Sequence, residues 1–282
     1  MLLMDPWLIF IVMAFIAVGM VRRLGFWRAR QTPFYREGRL LCLAHRGVPS
    51  LAPENTLPSF QEAFTAGVDG IELDVMETAD GVVIVKHDFD LEGTTDGTGY
   101  VWDTTYEQLS QLNAAHTWQG QIPKTRIPRL AEVLERLPAN MIINIELKSY
   151  HWRSTGLEEK VIALVRRYSL VKRTIISSFN PYWLLRVRWL EPELRIGYIL
   201  SDVDVPWILR KPYFLNLVRP DLLHVGAEIV TPEMVIQAHR RGMQVIAWTV
   251  NNRPMIAYLK SIGVDGVFTD FPELVLSVDR ES

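Results

Sequence analysis

Strand-like and helix-like segments alternate over about 240 residues of this chain, and that alternation limits the fold more than any other feature. Strands are predicted at Leu40–Ala44, in the first arm of the hairpin stretch Gly70–Asp88, and at Val82–Val85, Met141–Leu147, Thr174–Phe179, Arg195–Leu200, Leu222–Val225, Gln244–Val250 and Gly266–Thr269. Helices are predicted at Thr56–Ala66, Leu130–Leu137, Gly156–Tyr168, Tyr182–Leu190, Pro232–Arg240 and Met255–Ser261. The run 82–85 follows Ala79-Asp80-Gly81, so it reads as the return arm of a hairpin. Eight parallel-type strands remain, the number that closes a (β/α)8 barrel. A doubly wound open sheet is the competing architecture. No strand is followed by a glycine-rich dinucleotide or phosphate loop, which counts against it. Leu91–Ile127 is irregular, with one short helical pattern at Thr105–Leu112.

The chemistry gathers at strand ends, where such a barrel keeps its active site. In Gly70–Asp88, Ile71, Leu73 and Val75 alternate with Glu72 and Asp74, so both carboxylates share one face. Asn144, Glu146 and Lys148 repeat the alternation. Adjacent buried carboxylates repel unless a cation lies between them. Glu72, Asp74 and Glu146 form an all-oxygen set, suited to Mg²⁺ or Ca²⁺ and not to zinc. Closing the hairpin brings His87 level with Asp74, and His45-Arg46 follows the first strand. Arg46 and Lys148 beside a metal describe an anionic substrate, most naturally a phosphate, with His45 and His87 as acid and base for phosphoester cleavage. Trp248 either packs the barrel or lines an apolar part of the substrate. Asp270 ends the eighth strand. Glu54 is a lesser candidate, and with Asn55 it positions the first helix. His116, His151, His224 and His239 read as surface or structural.

The amino terminus reads as a membrane segment. Pro6–Val21 has no charged residue and spans roughly 24 Å as a helix. Arg22, Arg23, Arg28 and Arg30 follow, and no Lys or Arg precedes it. The positive-inside rule then gives a single-pass membrane protein with its catalytic part in the cytoplasm. The expected organisation is an anchor with basic flank at 1–30, a linker at 31–39 and a barrel at 40–282, with the irregular segment at about 91–127. A formal net charge of −2 gives no reason to expect nucleic acid, and nothing points to an obligate protein partner. The single cysteine, Cys42, cannot form an intramolecular disulfide.

Ordered motifs then carry a resemblance. His45-Arg46-Gly47, Pro53-Glu54-Asn55-Thr56, Gly70–Asp74, His87-Asp88, Thr95–Gly99, Asn144–Lys148, Ser177-Ser178-Phe179, Trp248–Asn251 and Thr269–Pro272 resemble the glycerophosphodiester phosphodiesterase family, from Leu41 to the carboxyl terminus. The resemblance implies the same barrel and hydrolysis of a glycerophosphodiester to an alcohol and glycerol 3-phosphate. It implies a divalent cation on Glu72, Asp74 and Glu146, His45 and His87 as general acid and base, and phosphate held by Arg46 and Lys148. A neighbouring glycerol hydroxyl attacks phosphorus first in such enzymes, and water opens the cyclic phosphate. The resemblance also makes the irregular segment Leu91–Ile127 (about 91–127) the family's insertion over the site, where leaving-group preference is set. Lys86 departs from the pattern, because an apolar residue or His is more common there.

A membrane segment favours a lysophospholipid, cleaved by a lysophospholipase D action, over a water-soluble diester. Trp207, Ile208, Leu209, Tyr213, Phe214, Leu215 and Leu217, with Arg210 and Lys211, read either as an interfacial amphipathic piece against the bilayer or as an ordinary barrel helix with a buried face. The alternative from another class is a catalytically inactive, membrane-anchored phosphate- or lipid-binding module.

Overall fold

A computed structural model of the chain describes residues 7, 13, 25, 27–35, 38–148, 154–203, 206 and 213–280. Among the described residues nine strands form one sheet: β1 (Leu41–Ala44), β2 (Gly70–Glu77), β3 (Val83–Val85), β4 (Ile142–Leu147), β5 (Thr174–Ser178), β6 (Arg195–Leu200), β7 (Leu222–Gly226), β8 (Gln244–Trp248) and β9 (Gly266–Thr269). Eight run parallel, and β1 pairs with both β2 and β9, so they close into a (β/α)8 barrel. The remaining strand, β3, is antiparallel and pairs Val75 with Val85 and Glu77 with Val83. β1 covers only Gly70 and Ile71 at the start of β2. The edge of β2 beyond them is open, and the hairpin arm fills it.

The helices are α1 (Leu57–Ala66), α2 (Tyr106–Leu109), α3 (Leu130–Arg136), α4 (Leu157–Arg167), α5 (Pro181–Leu190), α6 (Leu215–Val218), α7 (Pro232–Arg240), α8 (Arg253–Ser261) and α9 (Pro272–Arg280). Four share one start signal. The side chains of Thr56, Asn180, Thr231 and Asn252 each accept a hydrogen bond from a first-turn N–H, with a proline just inside the helix. α1 stops at Gly67, whose φ of 71° is open to glycine at little cost.

Alternation sorts the side chains. Ile71, Leu73, Val75, Ile143, Ile145 and Leu147 face outward into the main core shared with the helices. Leu43, Ile142, Ile175, Leu222, Ile246 and Phe268 form a separate cluster inside the barrel. The insertion has its own small core, in which Leu91, Val101, Leu109, Ala114 and Ile127 pack on Met76 and Ile84 of the hairpin.

The segment before β1 is tied to the amino-terminal ends of the strands. Arg30 pairs with Asp221 at 2.8 Å, and Arg195 donates to the Gln31 carbonyl at 3.1 and 2.9 Å. The Ala29 N–H donates to the Arg241 carbonyl at 2.7 Å, and Thr32 bonds to Gln244. Trp27 is buried under the Arg241 guanidinium, 5.7 Å from its ring centre.

The expected single-pass membrane localisation with a cytoplasmic catalytic part is corrected here. Among the described residues no helix is long and apolar enough to cross a membrane. The longest, α4, has 11 residues against the ~20 a span requires, and Glu158, Glu159, Arg166 and Arg167 charge its two ends. Of the stretch Pro6–Val21 only Trp7 and Met13 are described, so the anchor expectation lies outside the described residues. The same holds for most of the amphipathic piece, since 204–205 and 207–212 are not described.

Candidate active site

The carboxyl-terminal ends of the strands open into a cavity of about 800 Å³. Eight of the residues singled out from sequence line it, His45, Arg46, Glu72, Asp74, His87, Glu146, Lys148 and Trp248, whereas Glu54 and Asp270 do not. Register brings the acids together, because Glu72 lies opposite Asn144 and Asp74 opposite Glu146. Glu72, Asp74 and Glu146 each present an oxygen within 4.8 Å of the other two. Oxygens bound to one Ca²⁺ at 2.3–2.6 Å lie at most ~5 Å apart, so this set fits a single hard cation.

Electrostatics say the same. Burial, and then Asp74 and Glu146, push Glu72 well above the ordinary glutamate range. Burial also raises Glu146, with Lys148 only partly offsetting it. Asp74 behaves oppositely: burial is outweighed by Lys148 and Arg46, which hold it well below the usual carboxylate range. Lys148 Nζ lies 3.5 Å from Asp74 and 3.7 Å from Glu146. Arg46 Nη1 bonds both Glu54 oxygens at 3.0 and 3.1 Å, and its Nε lies 3.4 Å from Asp74. With Arg46 shared by Glu54, the three acids carry more charge than the side chains around them neutralise. A divalent ion fits that deficit.

Backbone geometry aims these groups. Arg46 has a φ of 54°, an unusual conformation for a bulky residue, and its N–H donates to Glu72 at 3.0 Å. Asn55, with a φ of 56°, donates from Nδ2 to Asp74 Oδ2 at 2.9 Å and accepts from the Asp74 N–H at 3.3 Å. The reading of Asn55 as a helix-positioning residue missed this second task. A side chain that bonds across the sheet leaves no local signal in its own segment.

Both imidazoles are held by carboxylates. His45 Nδ1 lies 2.8 Å from Asp270 Oδ1, and His87 Nδ1 lies 2.7 Å from Asp88 Oδ1. Asn251 Nδ2 donates to Asp270 Oδ2 at 2.6 Å, and the Asp270 N–H donates to Asn251 Oδ1 at 2.9 Å. Burial would raise Asp270, but its bond and charge contact with His45 outweigh that and hold it below its ordinary value.

Of the histidines read as surface or structural, His116 is exposed and His239 bonds Asp265 at 2.8 Å. His151 lies outside the described residues. His224 is buried inside the barrel and borders the cavity, with Phe268 edge-on at 5.0 Å. Burial drops it to about 3, so it is neutral. A Cβ at Gly197 would lie 2.4 Å from its ring, so only glycine there leaves the ring room. Lys86 does not border the cavity; it is buried and donates to the Asp88 carbonyl at 3.1 Å.

The family model "Glycerophosphoryl diester phosphodiesterase family" matches residues 45–274. A glycerophosphodiester phosphodiesterase of Caldanaerobacter subterraneus subsp. tengcongensis is 34% identical over 253 residues, covering 86% of this chain and 99% of that protein. The crystal structure of a glycerophosphodiester phosphodiesterase from Agrobacterium tumefaciens superposes with a TM-score of 0.72 at 27% identity, over 84% of this chain and 99% of that one. A phosphodiesterase of Oleispira antarctica, solved in complex with the product sn-glycerol-3-phosphate, superposes with a TM-score of 0.70 at 31% identity, over 86% and 97%. The chain belongs to the glycerophosphoryl diester phosphodiesterase family, and it is an enzyme of that class, a phosphoric diester hydrolase.

Proposed function

We propose that the chain hydrolyses glycerophosphodiesters to an alcohol and sn-glycerol 3-phosphate, with Mg²⁺ or Ca²⁺ held by Glu72, Asp74 and Glu146. One juxtaposition supports the reading: three carboxylates within common reach of a single ion share a cavity with two carboxylate-held imidazoles and two cations. The product carried by the Oleispira relative is the one proposed here. When bound, the ion supplies positive charge to the phosphoryl oxygens. Arg46 and Lys148 bind the phosphodiester and orient it. His45 and His87 move protons at Nε2, since Nδ1 of each is engaged. The Trp248 ring, edge-on to Phe179 at 5.9 Å, lies against the carbon face of the glycerol.

A lysophospholipid is a second reading, favoured by one observation. Phe179, Trp183, Ile199 and Val203 give the same cavity an apolar wall, where an acyl chain on the glycerol would lie. The test is a parallel assay of glycerophosphocholine and lysophosphatidylcholine with Mg²⁺, with Ca²⁺ and with EDTA. Metal-dependent release of glycerol 3-phosphate from the first is expected. Release of lysophosphatidic acid from the second would add the lysophospholipase D action. No turnover of either with any ion would overturn the reading and leave an inactive phosphate-binding module.

A further inference from the structure

Three inward-facing side chains form a polar layer inside the barrel. Ile142, Ile175 and Leu222 belong to the apolar cluster that closes its interior. Two residues on along the same strands, Asn144, Ser177 and His224 face the same way, one layer higher. All three border the cavity and are buried, at 1%, 0% and 1% exposure. Asn144 lies opposite Glu72, one layer below Asp74 and Glu146. Inner layers of such barrels are ordinarily filled by branched apolar residues.

Hydrogen bonding in this layer is incomplete. Asn144 Nδ2 donates to Ser177 Oγ at 2.9 Å. Asn144 Oδ1 and His224 Nε2 are buried with no hydrogen-bond partner among the described residues. Buried polar groups left unpaired cost stability, so a ligand that pairs them gains affinity. Asn144 Oδ1 only accepts, so it needs a donor. Burial keeps the His224 imidazole neutral, with one N–H and one lone pair, and either tautomer serves a hydroxyl at Nε2. An ionised phosphate or carboxylate only accepts and would leave Asn144 unpaired. A hydroxyl both donates and accepts, which suits both atoms. The imidazole is also held in place before any ligand arrives. Phe268 stands edge-on to it at 5.0 Å, and the Gly197 backbone packs so close that a Cβ there would lie 2.4 Å from the ring.

We propose that Asn144 and His224 are specificity-determining residues that together take the terminal hydroxyl of the glycerol, so that the site selects a glycerol left free at that carbon. The inference rests on the phosphodiesterase reading above. A phosphodiester held by Arg46 and Lys148 has two arms. The alcohol arm differs between substrates and needs open space, and an adjoining pocket of about 200 Å³ shares Phe89 and Lys148 with the main cavity. The glycerol arm is constant, small and uncharged, and the closed floor beneath the acids matches it. An acyl ester at the terminal carbon has no O–H to give Asn144. Its chain has no way down either, because Ile142, Ile175 and Leu222 close the barrel below. The lysophospholipid of the second reading is then the poorer substrate.

The test is the ratio of kcat/KM for glycerophosphocholine to kcat/KM for 2-hydroxypropyl phosphocholine, which lacks only the terminal hydroxyl. Wild type should favour the first by about 10- to 100-fold, because the second leaves both buried atoms unpaired. His224→Leu and Asn144→Leu should each lower that ratio by about fivefold or more. His224→Gln keeps a donor and an acceptor and should retain most of it. Both substrates meet the same protein, so an altered metal affinity cancels in the ratio. Asn144→Leu keeps the claim open to refutation if His224→Leu does not fold. Wild type should also turn over 1-acyl lysophosphatidylcholine more slowly than glycerophosphocholine. A wild-type ratio near one, a ratio that both leucine variants leave untouched, or faster turnover of the lysophospholipid would overturn the proposal and assign the layer to bound water. Absence of metal-dependent turnover on all three substrates would instead overturn the phosphodiesterase reading.

Discussion

At the scale of single residues, the acids of the site behave as a cluster short of positive charge. Glu72 lies above its ordinary value because it is buried beside Asp74 and Glu146. An acid raised in the folded state binds more protons folded than unfolded, so its contribution to stability declines as pH rises. Without metal that decline opens at the ordinary glutamate value of 4.5 and runs upward through the raised value. Asp74 has the opposite sign, but its contribution is already complete above its ordinary 3.8 and does not act in this window. Melting temperature followed against pH in EDTA should therefore fall above pH 4.5 in wild type. The fall should flatten in Glu72→Gln, whereas an unchanged slope would mean that the Glu72 charge is already compensated. The acids were legible in sequence because period two on a strand fixes which side chains share a face. Asn55 and Asn251 were not, because each acts on a residue 19 positions away in the chain, through contacts that only the closed barrel creates.

At the scale of elements, the turn between β1 and α1 does most to aim the site. It carries His45 and Arg46, and it passes so close to α1 that a Cβ on Gly47 would lie 2.3 Å from Ser59 Oγ and 2.7 Å from the Ser59 carbonyl carbon. The φ of Gly47 is 85°, which adds backbone strain for any other residue. Gly47→Ala should destabilise the protein by about 1–3 kcal/mol and lower kcat, read from urea unfolding and steady-state rates. Wild-type values in both would show that the turn has slack. Caps made this region readable: Thr56, Pro58 and Gly67 bound α1 as their residue types dictate. The strand Gly266–Thr269 and the helix Pro232–Arg240 came out with the boundaries read from sequence. The run Gln244–Val250 did not, because β8 ends at Trp248, two residues early, where the Val250 N–H turns to the Phe268 carbonyl. Helix α9 was not read at all; Pro272 at its start and the apolar Leu274, Val275 and Val278 were the available signals.

At the scale of the whole molecule, the barrel divides its labour between two ends. The carboxyl-terminal end holds the ionisable cavity, and the amino-terminal end is held by the segment that precedes β1. Asp221 is buried there between Arg30 and Arg188, and burial leaves it above its ordinary value even so. Arg30→Ala should cost about 1.5–3 kcal/mol in urea unfolding while leaving KM and kcat unchanged, because the lost contacts lie at the far end from the site. A change in KM would mean that the two ends are coupled. The barrel was legible as a count of eight parallel strands. The docking of residues 27–32 was not, since it depends on Arg195 of β6, Asp221 just before β7 and Gln244 of β8 meeting at one rim.

The central claim, one divalent ion held jointly by Glu72, Asp74 and Glu146 beside two proton-carrying imidazoles, is tested most directly by calorimetric titration of Mg²⁺ and Ca²⁺ into EDTA-stripped protein. Wild type and His45→Ala should bind one ion per chain with equal affinity while only wild type turns over, and Glu72→Ala should bind none. Full affinity in Glu72→Ala would contradict the account.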